Sequence, residues 1–149
     1  MTDALSRLKA ALADRYVLES EIGAGGMATV YRGYQRGVDR YVAIKVLPPH
    51  PGQNKQYIDR FQQEARAVGK LQHPNIIPLY EAGEYNGQLY LVFEYIDGIS
   101  LKEQMKHHGP FVVHQAIQLM IEILDGIACA HEQGVIHRDL SPSNILIDK

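Results

Sequence analysis

Two spacings of apolar residues divide the chain into predicted helices and strands. Apolar side chains three or four residues apart predict helices over residues 3–14, 55–71 and 113–133. Ser100 and Glu103 have the spacing of a capping box, which predicts a short helix from Ser100 towards His107. Short β-type runs predict strands over residues 16–22, 29–32, 41–47, 76–80 and 89–95.

Turn residues indicate how these strands are joined. Asn86 and Gly87 separate the last two strands, and this dipeptide tolerates the positive φ values of a tight hairpin. Pro48 and Pro49 end the third strand, because proline has no amide hydrogen to continue a ladder. The order predicts an α+β fold, in which a five-stranded antiparallel sheet with one helix precedes a mainly helical segment.

Composition and charge exclude several classes of function. Of the 149 residues, 46% are apolar and 21% charged, and a formal charge of −2 provides no strong field for nucleic acid or an anionic membrane. The one cysteine, Cys129, cannot form an internal disulfide, which favours a reducing setting. The charged residues Asp3, Arg7 and Lys9 near the N-terminus do not fit a signal peptide. No stretch reaches the roughly 20 apolar residues that a membrane span requires. We expect a cytoplasmic chain with no nucleic-acid partner and no membrane segment.

A glycine-rich turn lies between the first two predicted strands. It reads Gly-Ala-Gly-Gly-Met-Ala over residues 23–28, and the missing side chains let backbone amides approach phosphate oxygens closely. It is not a Walker loop, because no Gly-Lys-Ser/Thr follows and no helix begins there. Taken alone, the run is equally typical of a flexible hairpin turn.

Lys45 lies in the interior of an apolar strand, where an unpaired ammonium group would lose hydration. Glu64 falls at the edge of the apolar stripe of the following predicted helix, so an ion pair between the two is one hypothesis. The alternative is that Lys45 extends to solvent and Glu64 only flanks the stripe. These residues alone do not decide between the two.

The sequence His-Arg-Asp-Leu-Ser-Pro-Ser-Asn occupies residues 137–144, between two short predicted strands at 135–136 and 145–147. It resembles the catalytic loop of protein kinases, and the glycine turn, the lysine of Val-Ala-Ile-Lys and a helix glutamate occur in that family's order. The phrase Ile-Gly-Ala-Gly-Gly-Met, from Ile22, is most similar to the eukaryotic-like serine/threonine kinases of bacteria. The resemblance implies a protein-kinase-like fold and transfer of phosphoryl groups from ATP, with Mg²⁺, to protein serine and threonine hydroxyls.

The resemblance also implies roles for individual residues. Asp139 would accept the proton of the attacking hydroxyl, Asn144 would hold Mg²⁺, and Lys45 would hold the α- and β-phosphates in a position set by Glu64. The residues that would cover the phosphates are Gly23, Gly25 and Gly26. Those that would surround adenine are Ile22, Val30, Ala43, the gatekeeper Phe93, and the backbone of Glu94 and Ile96.

The chain departs from the family pattern in ways that bear on activity. Ala28 replaces a glycine of the loop, and Ser141 replaces a lysine that lies near the γ-phosphate in serine/threonine kinases. The sequence ends at Lys149, before any Asp-Phe-Gly magnesium motif, and the helix at 113–133 is apolar nearly all round. We therefore expect a partial domain, with a lead-in helix at 1–15, an N-lobe at 16–95, and a hinge and partial C-lobe at 96–149.

Three functions remain open on this basis. The first is a protein kinase whose present residues bind nucleotide weakly and phosphorylate little. The second is a pseudokinase or regulatory ATP-binding module whose exposed long helix docks another protein, although Asp139 and Asn144 weigh against it. The expected partners for the long helix are the missing C-lobe or a protein that covers it. The third, least favoured, is a small-molecule kinase of related fold.

Overall fold

A computed structural model describes residues 3–25 and 28–149. The chain divides into two units. The first contains the residues up to Gly69 together with Pro78–Tyr95, and the second contains Lys70–Ile77 and Ile96–Lys149. The elements of the first unit are α1 (Asp3–Leu12), β1 (Tyr16–Gly25), β2 (Ala28–Gln35), β3 (Arg40–Val46), α2 (Lys55–Gly69), β4 (Leu79–Tyr85) and β5 (Gln88–Glu94). Those of the second are β6 (Gly98–Ser100), α3 (Leu101–His108), α4 (Val113–Glu132), a short 3-10 turn (Pro142–Asn144) and β7 (Leu146–Asp148).

The first unit is built on a five-stranded sheet in the order β1-β2-β3-β5-β4, with every neighbouring pair antiparallel. The predicted fold class is confirmed. The hairpin between β4 and β5 turns at Asn86 and Gly87, whose φ angles are 48° and 82°. These positive values are those that an Asn-Gly dipeptide accommodates in a tight turn.

One face of this sheet is covered by α1. Leu8 and Leu12 on the helix pack with Ile44 and Val92 on the central strands, and all four side chains are buried. Burying a side chain of this size contributes roughly 1.5–3 kcal/mol. The segment predicted as a lead-in helix therefore supplies part of the hydrophobic core of the first unit.

Strand β4 lies later in the chain than predicted. The sequence predicted a strand over residues 76–80, whereas β4 covers Leu79–Tyr85 and pairs along its length with β5. Ala82 and Gly83 have low strand propensity, which concealed this segment. Gly83 lies against the Tyr90 ring, and a Cβ atom at this position would overlap the ring unless the tyrosine side chain moved.

The strand predicted at residues 135–136 is wrong. The amide of Val135 instead donates to the Ala130 carbonyl, 2.9 Å away, and so closes the end of α4. The partner of β7 is β6, with Ile99 opposite Ile147. A Cβ atom on Gly98 would lie 1.9 Å from the Ile147 carbonyl oxygen, so this short ladder depends on glycine.

Helix α4 carries a largely exposed apolar surface. Ile117, Met120, Ile121 and Leu124 are each 48–56% exposed, which is unusual for side chains of this size. The helix is 20 residues long and contains a window of mean hydropathy 1.2, enough to cross a membrane by length and composition alone. Core helices of soluble domains have the same length and composition, so these two properties do not establish a membrane span.

Candidate active site

The strand register gathers several predicted site residues on the sheet face opposite α1. Directly opposed residues of antiparallel strands point to the same face. Val30 lies opposite Lys45, which lies opposite Leu91, and Ala43 lies opposite Phe93. Each of these side chains is half-buried. The first unit therefore presents the predicted lysine, gatekeeper and two small apolar residues on one face.

Lys45 and Glu64 do not form the ion pair that the sequence suggested, although the structure describes both residues. Lys45 is half-buried on β3, whereas Glu64 is exposed on α2. The buried position on that helix is taken by the next residue, Ala65. The helix thus turns the small apolar side chain inward and leaves the carboxylate in solvent, where hydration stabilises it.

Strands β1 and β2 pair up to the described ends of the glycine-rich segment. Gly23 pairs with Val30, and Gly25 pairs with Ala28. A register shift between Glu21 and Gly23 leaves Ile22 in a bulge, with its side chain 45% exposed. Bulges re-aim side chains, so Ile22 leaves the regular alternation of its strand. The predicted phosphate contact Gly26 lies outside the described residues.

The predicted hinge residues follow the end of β5. The amide of Glu94 donates to the Pro78 carbonyl, 3.0 Å away, which fixes the end of the strand and leaves that N–H unavailable to a ligand. Glu94 and Ile96 are both half-buried. The backbone at Glu94 is therefore held in place, and both residues are partly accessible to solvent.

The predicted catalytic loop is organised by hydrogen bonds within the second unit. The Asn144 side-chain amide donates to the Asp139 backbone carbonyl at 2.8 Å and to the Asp139 carboxylate oxygen Oδ2 at 3.1 Å. The Asp139 amide donates to the imidazole Nδ1 of His137 at 3.1 Å. Arg138 adopts a positive φ of 69°, a backbone conformation that residues other than glycine rarely take. These contacts bring Asp139 and Asn144 together.

The chemistry of this pair fits a magnesium ion. Because Asn144 donates through Nδ2, its Oδ1 atom remains for a metal, beside the exposed carboxylate of Asp139. Magnesium prefers such hard oxygen ligands and completes its shell with phosphate oxygens and water. No cluster of three or more His, Cys, Asp or Glu residues suited to a metal occurs in the described parts of the chain. The loop therefore offers a partial ligand set, of the kind that a metal–phosphate complex completes.

A polar cluster that the sequence did not predict lies on the α1 side of the sheet. Glu81 accepts hydrogen bonds from Arg15 Nη1 at 2.6 Å, from the Tyr16 hydroxyl at 2.6 Å and from the Tyr90 hydroxyl at 3.3 Å. Burial opposes ionisation of Glu81, but these hydrogen bonds outweigh it and lower its pKa. The residues are far apart in sequence, and only the paired strands bring them together. This cluster fastens the α1–β1 junction to β4 and β5.

Comparison with known proteins links both units to one family. A family model described as "Protein kinase domain" matches residues 16–149. The probable serine/threonine-protein kinase PknB of Lactococcus lactis is 45% identical over 136 residues, which are 91% of this chain and 22% of that protein. The crystal structure of the Mycobacterium tuberculosis PknI kinase domain is 29% identical with a TM-score of 0.78, covering 89% of this chain and 55% of that one.

A further similar structure is that of Rad53 1-466 in complex with AMP-PNP. Its TM-score is 0.80 and its identity 28%, with 93% of this chain and 36% of that one covered. The chain spans about a fifth of the length of the curated PknB relative. The similarity therefore covers almost all of this chain but only a part of each of these proteins.

Proposed function

Because this chain belongs to the protein kinase domain family, we propose that it serves ATP-dependent phosphoryl transfer to serine and threonine hydroxyls of proteins. The observation that carries the proposal is the pairing of Asp139 with Asn144 in the loop of the second unit. The relative from Lactococcus lactis bears the name of a serine/threonine-protein kinase, which supports the substrate class. The similar structure in complex with AMP-PNP supports a nucleotide as the second substrate.

In the first unit, the sheet face opposite α1 binds the nucleotide. Lys45 supplies a positive charge for the α- and β-phosphates, in a half-buried position where a charge interaction is less screened than in water. Val30 and Ala43 contribute apolar contacts to adenine beside Phe93, the residue across the ladder from Ala43. Since Glu64 is exposed, it does not position Lys45 in this conformation.

In the second unit, Asp139 accepts the proton of the substrate hydroxyl, and Asn144 Oδ1 is the atom that would hold magnesium. One hydrogen bond from Asn144 Nδ2 fixes the Asp139 carboxylate, and His137 together with a second hydrogen bond from Asn144 fixes the backbone at Asp139. Ser141 lies in this loop and brings no positive charge towards the γ-phosphate. When bound, ATP supplies the phosphoryl group and Mg²⁺ neutralises its charge. The residues of the chain contribute position and electrostatic complementarity, which is most of what phosphoryl transfer requires.

Residues 1–149 alone are proposed to bind Mg·ATP weakly and to transfer little. They contain Asn144 but no Asp-Phe-Gly sequence, so one family ligand of magnesium is missing from this polypeptide. Lys45 is not held in position by Glu64, and the missing lysine at position 141 lowers the charge complementarity to phosphate. Measurable Mg²⁺-dependent phosphorylation of casein by this polypeptide would overturn this part of the proposal.

Calorimetric titration with ATP, with and without Mg²⁺, tests the nucleotide site. Affinity should rise when Mg²⁺ is present, and Asn144→Ala should abolish that rise because it removes the Oδ1 ligand. Asn144→Asp is the matched control, since it keeps an oxygen at that position and should keep the rise. No ATP binding by the unaltered chain, or a rise that survives in Asn144→Ala, would contradict the proposed function.

A further inference from the structure

The guanidinium group of Arg32 lies close to two tyrosine rings on the sheet face opposite α1. Its Cζ atom is 4.8 Å from the centroid of the Tyr41 ring and 5.9 Å from that of Tyr95. The two rings are themselves 6.2 Å apart. Both distances from Arg32 fall within the range of a cation–π interaction. One side chain of β2 thus contacts β3 and the residue that follows β5.

Glu19 holds this guanidinium in place from a third strand. Its Oε2 atom accepts from Arg32 Nε at 2.9 Å and lies 2.8 Å from Arg32 Nη2. The register of β1 shifts between Leu18 and Ser20, so Glu19 sits in a bulge. A bulge re-aims the side chain that it carries. Glu19, and a smaller contribution from Tyr95, raise the pKa of Arg32, which remains charged at any physiological pH.

Each segment that Arg32 joins also carries a residue of the proposed adenine site. Strand β1 carries Ile22, strand β3 carries Ala43, and Glu94 immediately precedes Tyr95. We infer that Arg32 is a positioning residue for adenine recognition, which fixes these three segments relative to one another at the rim of the site. This inference rests on the proposed function. Arg32 itself is not assigned a contact with ATP.

The arrangement separates base recognition from phosphate recognition. Arg32 lies opposite Ala43 on β3, whereas Lys45 lies two residues further along that strand. Loss of Arg32 should therefore loosen the segments around the base and leave the phosphate-binding lysine unchanged. Inorganic tripolyphosphate, which has no base, distinguishes the two effects.

The experiment compares the affinities of the chain for ATP and for tripolyphosphate in four forms: unaltered, Arg32→Leu, Arg32→Lys and Arg40→Leu. Arg40 is the matched control, because it also has a cation–π contact, 3.7 Å from the Tyr80 ring, and a side-chain hydrogen bond, to Gln35. Arg32→Leu should weaken ATP binding by up to about fivefold, the upper limit set by the energy of one exposed cation–π contact that orders the site. Its affinity for tripolyphosphate should stay unchanged, and Arg40→Leu should alter neither affinity.

Arg32→Lys is the milder substitution, and it tests the inference even if Arg32→Leu does not fold. It keeps the positive charge near Glu19 but loses the planar group that contacts the two rings, so its ATP affinity should fall to an intermediate value. Hydrogen exchange of the free protein gives an independent readout. The Glu94 amide, which donates to Pro78 in the unaltered chain, should exchange faster in both Arg32 variants and not in Arg40→Leu.

The outcomes separate this inference from the proposed function. ATP binding and Glu94 exchange that stay unchanged in both Arg32 variants would overturn the inference while leaving the proposed function intact. An equal loss of ATP and tripolyphosphate affinity would overturn it too, because it would indicate a general loss of structure. If the unaltered chain does not bind ATP, the proposed function fails and the inference fails with it.

Discussion

The two faces of the five-stranded sheet differ in what covers them and in what they carry. The face under α1 holds Ile44 and Val92, both fully buried against the helix. The opposite face holds Lys45 and Ala43 on the same strand, and both are half-buried. Alternate residues of β3 therefore belong to a packed core and to a more open surface, which we propose binds the nucleotide.

The contrast separates the residues that stabilise the first unit from those proposed to bind nucleotide. Close-packed side chains contribute to stability through buried area and the absence of cavities. A binding face must remain open to its ligand and carries less buried area. Substitutions on adjacent positions of one strand should therefore have opposite consequences for stability and for binding.

Ile44→Ala should have the largest effect on stability. Truncation of a fully buried isoleucine removes buried area and leaves a cavity, which costs about 2–5 kcal/mol in the free energy of unfolding. Urea denaturation followed by circular dichroism measures this cost. A loss below about 1 kcal/mol would mean that the α1 face is not a packed core.

Lys45→Met should show the reverse behaviour one residue along the strand. Loss of a charged contact to phosphate should weaken ATP binding by about tenfold or more, while the methionine covers similar apolar surface and stability changes little. Calorimetric titration and urea denaturation of the same preparation measure both. The contrast between the faces breaks down if Lys45→Met unfolds the protein as readily as Ile44→Ala.

Glu81→Gln should have a smaller effect that depends on pH. The Glu81 carboxylate forms an ion pair with Arg15, whose side chain is 49% exposed, so solvent screens the pair. The free energy of unfolding should therefore fall by about 1 kcal/mol near pH 7. Because the folded state lowers the pKa of Glu81 below 4.5, its contribution is present above pH 4.5 and is lost as the pH falls through the lowered value. The unaltered chain and the variant should therefore converge in stability under acidic conditions.

Denaturation curves collected between pH 3 and pH 7 test this prediction. A difference between the two proteins that stays constant across that range would show that the Glu81 charge contributes nothing to stability. Tyr16→Phe serves as a control for the hydrogen bonds, since it removes a hydroxyl donor to Glu81 and keeps the carboxylate.

Ile121→Ala should have the smallest effect, and it extends the comparison to the second unit. Ile121 is 48% exposed on α4, in contrast to the fully buried Ile44. The free energy of unfolding should therefore change by no more than about 0.5 kcal/mol, as for other surface substitutions. A loss as large as that of Ile44→Ala would show that this face of α4 is buried in solution.

Local patterns predicted most of the secondary structure. The Asn-Gly turn follows from the positive φ values that it tolerates, and the helix after Ser100 follows from its cap, whose Oγ accepts from the Glu103 amide at 3.1 Å. Both signals lie within a few residues of the structure that they determine. The loop containing Asp139 and Asn144 was likewise recognisable, since the motif is contiguous.

Long-range pairing explains the features that the sequence did not predict. Glu81 is 65 residues from Tyr16 and 66 from Arg15, so no local pattern indicates their cluster. The length of β4 depends on its pairing with β5, which overrides the weak strand propensity of Ala82 and Gly83. The orientation of Glu64 depends on which side of α2 packs on the sheet, and a residue at the edge of an apolar stripe does not determine that.

Methyl resonances recorded during a titration with Mg·ATP test the central claim most directly, because they report on each face separately. We predict shifts at Ile22, Val30 and Leu91, and none at Leu8, Ile44 and Val92, since the first three lie on β1 and the open face and the others lie under α1. Shifts confined to the α1 face, or no shifts at millimolar ATP, would contradict the assignment of the open face as the nucleotide site.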